Sequence, residues 1–189
     1  MIDNISCNIC YARKSSQLNL LRKDDLIDIS LNKSCNFYKK GQVVFYEGKI
    51  PNGVFCVHYG KVKIFRNGIS GREQIVRFAT PGHFIGIRSF LGQTEYKASA
   101  ATLEDSIICF ISRNNFNRVM QRYPTFAAQM MKLLSMMLQE AEDKITSLAQ
   151  KPVKERLAET LLVLNRIYIA DTAVEKKYTI SLTREDLAN

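Results

Sequence analysis

Val43-Val44-Phe45-Tyr46, Val54-Phe55-Cys56-Val57-His58-Tyr59 and Val62-Lys63-Ile64-Phe65 are three apolar runs set apart by Gly48, Gly53 and Gly60. Short runs closed off by glycine read as β-strands joined by tight turns. The pattern continues outward through Gln74-Ile75-Val76-Arg77-Phe78, Phe84-Ile85-Gly86-Ile87, Ala98 to Thr102 and Ile107-Ile108-Cys109-Phe110-Ile111. Gly41, Asn67-Gly68, Gly71, Pro81-Gly82 and Gly92 break the chain between them. Asn67-Gly68 before Ile75 is a hairpin signal. No long helical segment interrupts the series. This argues against a doubly wound parallel sheet and predicts a mostly β unit, a double-stranded β-helix or jelly-roll of the cupin-like kind.

Upstream, Asp24 to Leu31 reads as a short helix, and residues 1–23 form a polar arm carrying Cys7-x-x-Cys10. Downstream the period changes at about Arg113. Asn114 to Arg122 reads as a short helix, and Pro124 suits the first turn of the next. From Thr125 to Ala149 there is no Pro or Gly. Ala127, Leu134, Ala141 and Leu148 recur every seven residues, with Met130 and Met137 three positions after the first two. That is an a/d seam, and it predicts a two-stranded coiled coil in a homodimer. Pro152 marks a joint. A further amphipathic helix carries Leu157, Leu161, Leu164, Ile167 and Tyr168 on one side, and Lys176 to Leu182 reads as a strand. Thr183 is placed to cap a last helix, and the chain stops inside that helix at Asn189.

The composition is that of a folded chain. Of 189 residues, 46% are hydrophobic and 10% aromatic, which excludes a disordered or fibrous protein. No apolar run reaches membrane-spanning length and the start is not a secretory signal, so the expected compartment is the cytoplasm, with no membrane partner. Lys and Arg outnumber Asp and Glu by 27 to 18. The excess sits in residues 1–118 and is spread over many segments, as on an ordinary solvated surface. The chain has only two His, His58 and His83, and no nucleophile elbow, phosphate loop or paired-His zinc motif, so an enzyme is not expected.

The order of these pieces resembles the CRP/FNR family of transcription regulators. The resemblance rests on Lys40-Gly41-Gln42, Tyr59-Gly60-Lys61-Val62-Lys63, Pro81-Gly82-His83-Phe84-Ile85-Gly86, Lys154-Glu155-Arg156-Leu157-Ala158 and Leu182-Thr183-Arg184-Glu185-Asp186-Leu187-Ala188. It implies a sensory β-roll over 24–118 behind the arm of 1–23. It further implies a dimerisation helix over 119–150 and, over 151–189, the first part of a winged helix-turn-helix domain, truncated. Thr183, Arg184 and Glu185 would open the DNA-binding element. The partners implied are a second copy of the chain, double-stranded DNA for the full-length protein, and a small-molecule effector that the residues do not name. The alternative is a sensor and dimerisation module without DNA binding.

The resemblance also places an effector pocket at Gly86, Ile87, Arg88, Lys97, Ala98 and Ser99. Members that bind cyclic AMP carry Gly-Glu for the ribose hydroxyl and Arg-Ser for the cyclic phosphate. Here Ile87 replaces the Glu, and Lys97-Ala98 falls near the Arg-Ser position, so cyclic AMP is not the expected effector. The rival sensor is an iron–sulfur cluster. Cys7 and Cys10 resemble the start of the family's N-terminal cysteine trio, Cys109 lies on the strand of the roll ligand, and Cys35 is the spare candidate. In that reading the arm has too little apolar content to fix itself and takes order from the metal.

Overall fold

The computed structural model describes residues 5–68 and 71–169. The chain divides into two compact units, Met1–Met131 and Lys132–Asn189.

The first unit is built on two four-stranded antiparallel sheets. β1 (Lys33–Tyr38), β3 (Gly53–Tyr59), β6 (Phe84–Ile85) and β8 (Ser106–Ser112) form one, in the order β1-β8-β3-β6. β2 (Val43–Phe45), β4 (Val62–Asn67), β5 (Glu73–Ala79) and β7 (Ser99–Thr102) form the other, in the order β2-β7-β4-β5. Each strand run expected between Val43 and Ile111 has a counterpart, shortened at Phe84–Ile87, and β4 and β5 pair as the Asn67-Gly68 signal requires. Strand β1 went unforeseen. Its Lys33 and Cys35 are buried on one face while Ser34 and Asn36 are exposed, so it looks polar although it is half-buried. Phe45, Val57, Val62, Ile64, Tyr96 and Ile108 fill the space between the sheets.

The run Phe84 to Ile87 is not one strand. Gly86 adopts φ +77 and caps a short helix, α2 (Ile87–Leu91), so Ile87 is helical. That left-handed turn is the reason the strand stops. Helix α1 is Lys23–Leu31, close to the expected position.

After β8 come α3 (Arg113–Arg122) and α4 (Pro124–Gln150). Residues 119–122 therefore belong to α3 and not to the long helix. Tyr123 breaks the two with an extended backbone, as a residue before proline prefers. Phe116 of α3 meets Phe84, Phe90 and Phe126 edge-on, with ring centroids 5.8, 5.4 and 5.7 Å apart. This aromatic knot ties α2, α3 and the start of α4 to the roll.

The arm is not without apolar content of its own. Cys7, Ala12, Leu18 and Leu21 are buried, in a segment that makes two 3-10 turns, Tyr11–Ser15 and Gln17–Leu20. These side chains need no separate core: Cys7, Ala12 and Leu18 line a cavity together with Cys56, Cys109 and Ile111 of the β1-β8-β3-β6 sheet. The Cys7 backbone N–H donates to Ser30 Oγ at 2.7 Å, and that hydroxyl donates to the Leu26 carbonyl at 2.6 Å. The expectation that only metal orders this arm is thereby corrected. At Gly82, where φ is +91, an added Cβ would lie 2.6 Å from the Ala12 carbonyl oxygen. Gly82→Ala is therefore expected to lift the arm from the roll at a cost of about 1–3 kcal/mol. Faster tryptic cleavage at Arg13 and Lys14 would report it, and cleavage at the parent rate would refute it.

In the second unit, α5 (Val153–Ile169) follows the joint at Pro152. Ser147 Oγ donates to Glu159 at 2.7 Å, and Lys151 pairs with the same carboxylate. Along α5, Leu164 and Tyr168 are buried while Leu157 and Leu161 are exposed. The strand expected over 176–182 and the helix opening at Thr183, Arg184 and Glu185 lie outside the described residues. No helix among the described residues is long and apolar enough to cross a membrane.

Candidate functional site

Two places on the first unit hold the residues that the sequence singles out. One is the interior of the roll. Gly86 borders it at Tyr96 and Ala98 is part of the core, while Ile87 is wholly buried at the start of α2. Arg88 and Lys97 point to solvent. The buried Ser99 hydroxyl accepts from the Glu47 backbone N–H at 3.0 Å, so it is already used in holding the β2–β7 edge. The six residues thus form no anion-binding group: the cations are outside and the interior side chains are apolar or satisfied.

The residue that decides the interior is Tyr96, which sequence reasoning passed over. Its ring is buried and stacks on Phe45 with centroids 4.0 Å apart, and Phe45 in turn stacks on Phe55 at 5.7 Å. A Cβ built on Gly86 would come within 2.8 Å of the Tyr96 ring. Tyr96 therefore presses against the very glycine at which the family's sugar-binding segment begins. Burial pushes its hydroxyl up to about 12, so it stays neutral at physiological pH. Its backbone is pinned on both sides, donating to Lys49 O at 2.9 Å and accepting from the Gly48 N–H at 2.8 Å. The residue is hidden in sequence because it stands in a polar stretch, Gln93 to Lys97, without periodicity.

The other place is the outer face of the β1-β8-β3-β6 sheet, beneath the arm. In an antiparallel ladder, directly opposed residues share a face. Cys35 of β1 opposes Cys109 of β8, and Cys109 also opposes Cys56 of β3. Three cysteines thus stand in a row across the sheet. Cys35 and Cys109 are joined as a disulfide, with Cα atoms 4.1 Å apart. Lys33 Nζ donates to Cys35 Sγ at 2.8 Å and approaches Cys109 Sγ at 3.5 Å. From the arm, Cys10 Sγ reaches 3.2 Å from His58 Nδ1, and Tyr11 meets the same imidazole edge-on at 5.3 Å. Cys7, Cys10, Cys56 and Cys109 line one small cavity together with Lys33 and His58.

Burial sets the chemistry here. It raises the Cys7 thiol above its ordinary range and pushes Cys56 up to about 12. It lowers Lys33, and it lowers His58 with help from the Lys33 charge. Cys10 is the half-buried member of the three free thiols.

The structure therefore brings Cys7, Cys10 and Cys109 to one cavity, as the sequence suggested, but it does not assemble the expected four-thiolate set. An iron–sulfur cluster takes four thiolates. Cys35 and Cys109 are bonded to each other, and among the described residues no three His, Cys, Asp or Glu side chains gather as metal donors. The residues do not fit the cluster. Sequence reasoning also missed Lys33, Cys56 and His58. Two-residue spacing was the available signal, since Lys33–Cys35 and Cys56–His58 each share a strand face.

The residues expected in the dimer seam differ in burial within the single chain. Met130 is wholly buried within its own chain, so it is spent on the core of the first unit. Leu134 and Met137 are half-buried, and Ala141 and Leu148 are exposed. Around them Leu138 and Ile145 are exposed by 61% and 66%.

The sequence model described as "Cyclic nucleotide-binding domain" matches residues 35–123. The class is therefore that of the cyclic-nucleotide-binding-type roll, a statement about fold and not about ligand. More narrowly, the chain is similar in sequence to regulators of the CRP/FNR family. It is 31% identical over 129 residues to the "Cyclic AMP receptor protein" of Thermus thermophilus, covering 68% of this chain and 60% of that protein. It is 27% identical over 151 residues to the "Anaerobic regulatory protein" of Pasteurella multocida, covering 80% and 55%. The solved structure of FixK2 from Bradyrhizobium japonicum superposes with a TM-score of 0.71 at 23% identity, over 82% of this chain and 75% of that one, a likeness of fold. The chain thus spans little more than half the length of these two curated relatives.

Proposed function

We propose that the whole protein is a transcription regulator that binds double-stranded DNA as a homodimer in the cytoplasm, with no catalytic activity of its own. The single observation that carries the reading is the order of parts within a CRP/FNR chain: a roll, then a 27-residue helix whose far half presents Leu138, Ile145 and Leu148 uncovered. Apolar side chains at heptad spacing on a solvated helix are the surface a second copy covers. Two such helices give the two-fold symmetry that a near-palindromic duplex matches. The DNA-contacting part would open at Thr183, Arg184 and Glu185 and continue in the full-length protein.

The test is selection of duplexes from random sequence by the full-length protein, followed by fluorescence anisotropy with the selected duplex. Binding at nanomolar concentration that weakens steeply with salt is the expected result. Failure to enrich any duplex would overturn the reading and leave a sensor and dimerisation module.

The effector of the roll is proposed not to be cyclic AMP. Tyr96 and Phe45 occupy the interior, Ile87 replaces the ribose acceptor, and Lys97 faces outward. Losing a charged acceptor and a bidentate anion clamp costs about 3 kcal/mol or more, over a hundredfold in affinity. Isothermal titration with cyclic AMP is expected to give no saturable heat. A dissociation constant in the low micromolar range would show the interior to be open.

A further inference from the structure

The sulfur chemistry beneath the arm has no part in dimerisation or DNA binding as proposed. Five cysteines from four separate stretches of a 189-residue chain, the arm and three strands, meet over one face of one sheet, and two of them are already oxidised. We propose that this face is a thiol–disulfide exchange site, in which Cys10 and Cys7 of the arm draw the buried Cys35–Cys109 disulfide outward and pass it to a low-molecular-weight dithiol.

The roles follow from position. Cys10 is the half-buried thiol, with His58 Nδ1 at 3.2 Å to take its proton. Burial and the Lys33 charge favour the neutral imidazole, which is the form with a free nitrogen. Cys109 shares the cavity with Cys10, whereas its partner Cys35 is buried on the neighbouring strand β1 and does not line the cavity. Lys33 Nζ, 2.8 Å from Cys35 Sγ, donates to the sulfur that must leave. A hydrogen-bonded, charge-assisted leaving thiolate departs faster. Cys7 stands three residues before Cys10 on the same cavity and can resolve the intermediate.

The steps balance without an external oxidant. Cys10 thiolate attacks Cys109 Sγ, the Cys35–Cys109 bond breaks, and its electron pair goes to Cys35. Cys7 then attacks Cys10 Sγ, and the pair of the Cys10–Cys109 bond goes to Cys109. The two protons given up by Cys7 and Cys10 end on Cys35 and Cys109. Two thiols and one disulfide become two thiols and one disulfide, now between Cys7 and Cys10 at the surface. A dithiol of the solvent then reduces that bond and is itself oxidised to a disulfide. Cys56 also opposes Cys109, but its thiol is wholly resting, pushed up to about 12 by burial, so it stands by.

The experiment follows native protein purified in air during exposure to a few millimolar dithiothreitol. Samples are quenched with acid, alkylated and mapped by mass spectrometry. Loss of Cys35–Cys109 through a transient Cys7–Cys10 species is expected. Cys10→Ser should slow that loss by about tenfold or more, and Cys56→Ser should leave it within about twofold. Cys7→Ser should accumulate the Cys10–Cys109 mixed disulfide, a readout that a merely structural cysteine would not produce. Five free thiols in the air-purified protein, a parent rate in Cys10→Ser, or no Cys10–Cys109 species in Cys7→Ser would each overturn the proposal. If Cys10→Ser does not fold, the transient Cys7–Cys10 bond in the parent chain decides alone.

Discussion

Light scattering of a chain carrying Leu134→Asp and Met137→Asp is expected to report the mass of one chain, where the parent reports two. Both side chains lie half-buried on α4, at positions of the seven-residue repeat that runs from Ala127 through Leu134 and Ala141 to Leu148. In a two-stranded pair each Asp would face its own copy across the seam. Two like charges would be removed from water at two successive layers, a penalty of several kcal/mol per layer. No exposed surface pair elsewhere on the helix can repay that. Leu134→Ala with Met137→Ala should weaken the dimer without abolishing it, which separates repulsion from lost packing. A parent protein that is already monomeric at tens of micromolar would refute the dimer, whatever the variant does.

The second large effect is on stability. Phe116→Ala is expected to cost about 3–5 kcal/mol, the range for deleting a buried aromatic ring. Phe116 is buried and is the hub of the aromatic knot, touching Phe84 of the roll, Phe90 of α2 and Phe126 of α4. Removing it takes away three edge-to-face contacts at once and leaves a cavity that rigid helices and sheet cannot close. A fall in melting temperature of at least about 10 °C should follow. Phe116→Leu, which refills most of the volume, should recover more than half of the loss. A Phe116→Ala transition within a few degrees of the parent would mean that the helices are not tied to the roll through this ring.

How far such a chain can be read in advance depends on whether a feature is local. The strands from Val43 to Ile111 were legible because glycines close each apolar run. The 3.6-residue period after Arg113 was legible for the same kind of reason. Strand β1 was not, because burying Lys33 and Cys35 while exposing Ser34 and Asn36 leaves no apolar alternation to see. Nor was the end of β6, where one residue at φ +77 turns an apolar run into a helix. The site was harder. Cysteines at 35, 56 and 109 become neighbours only through strand register, which long-range pairing sets. The family pattern pointed to Cys7, Cys10 and Cys109, which line one cavity, but it could not show that Cys109 already has a sulfur partner.

Tyr96 has a consequence for how information can travel. In a receptor with a vacant interior, the message arrives there and the walls move around it. Here the interior is furnished from birth: Tyr96 lies flat on Phe45 and fills the space before Gly86. That chamber broadcasts one constant value. On the proposed reading, a variable signal would then be received on the outside of the roll, where the arm rests, and read by the chain from its skin inward.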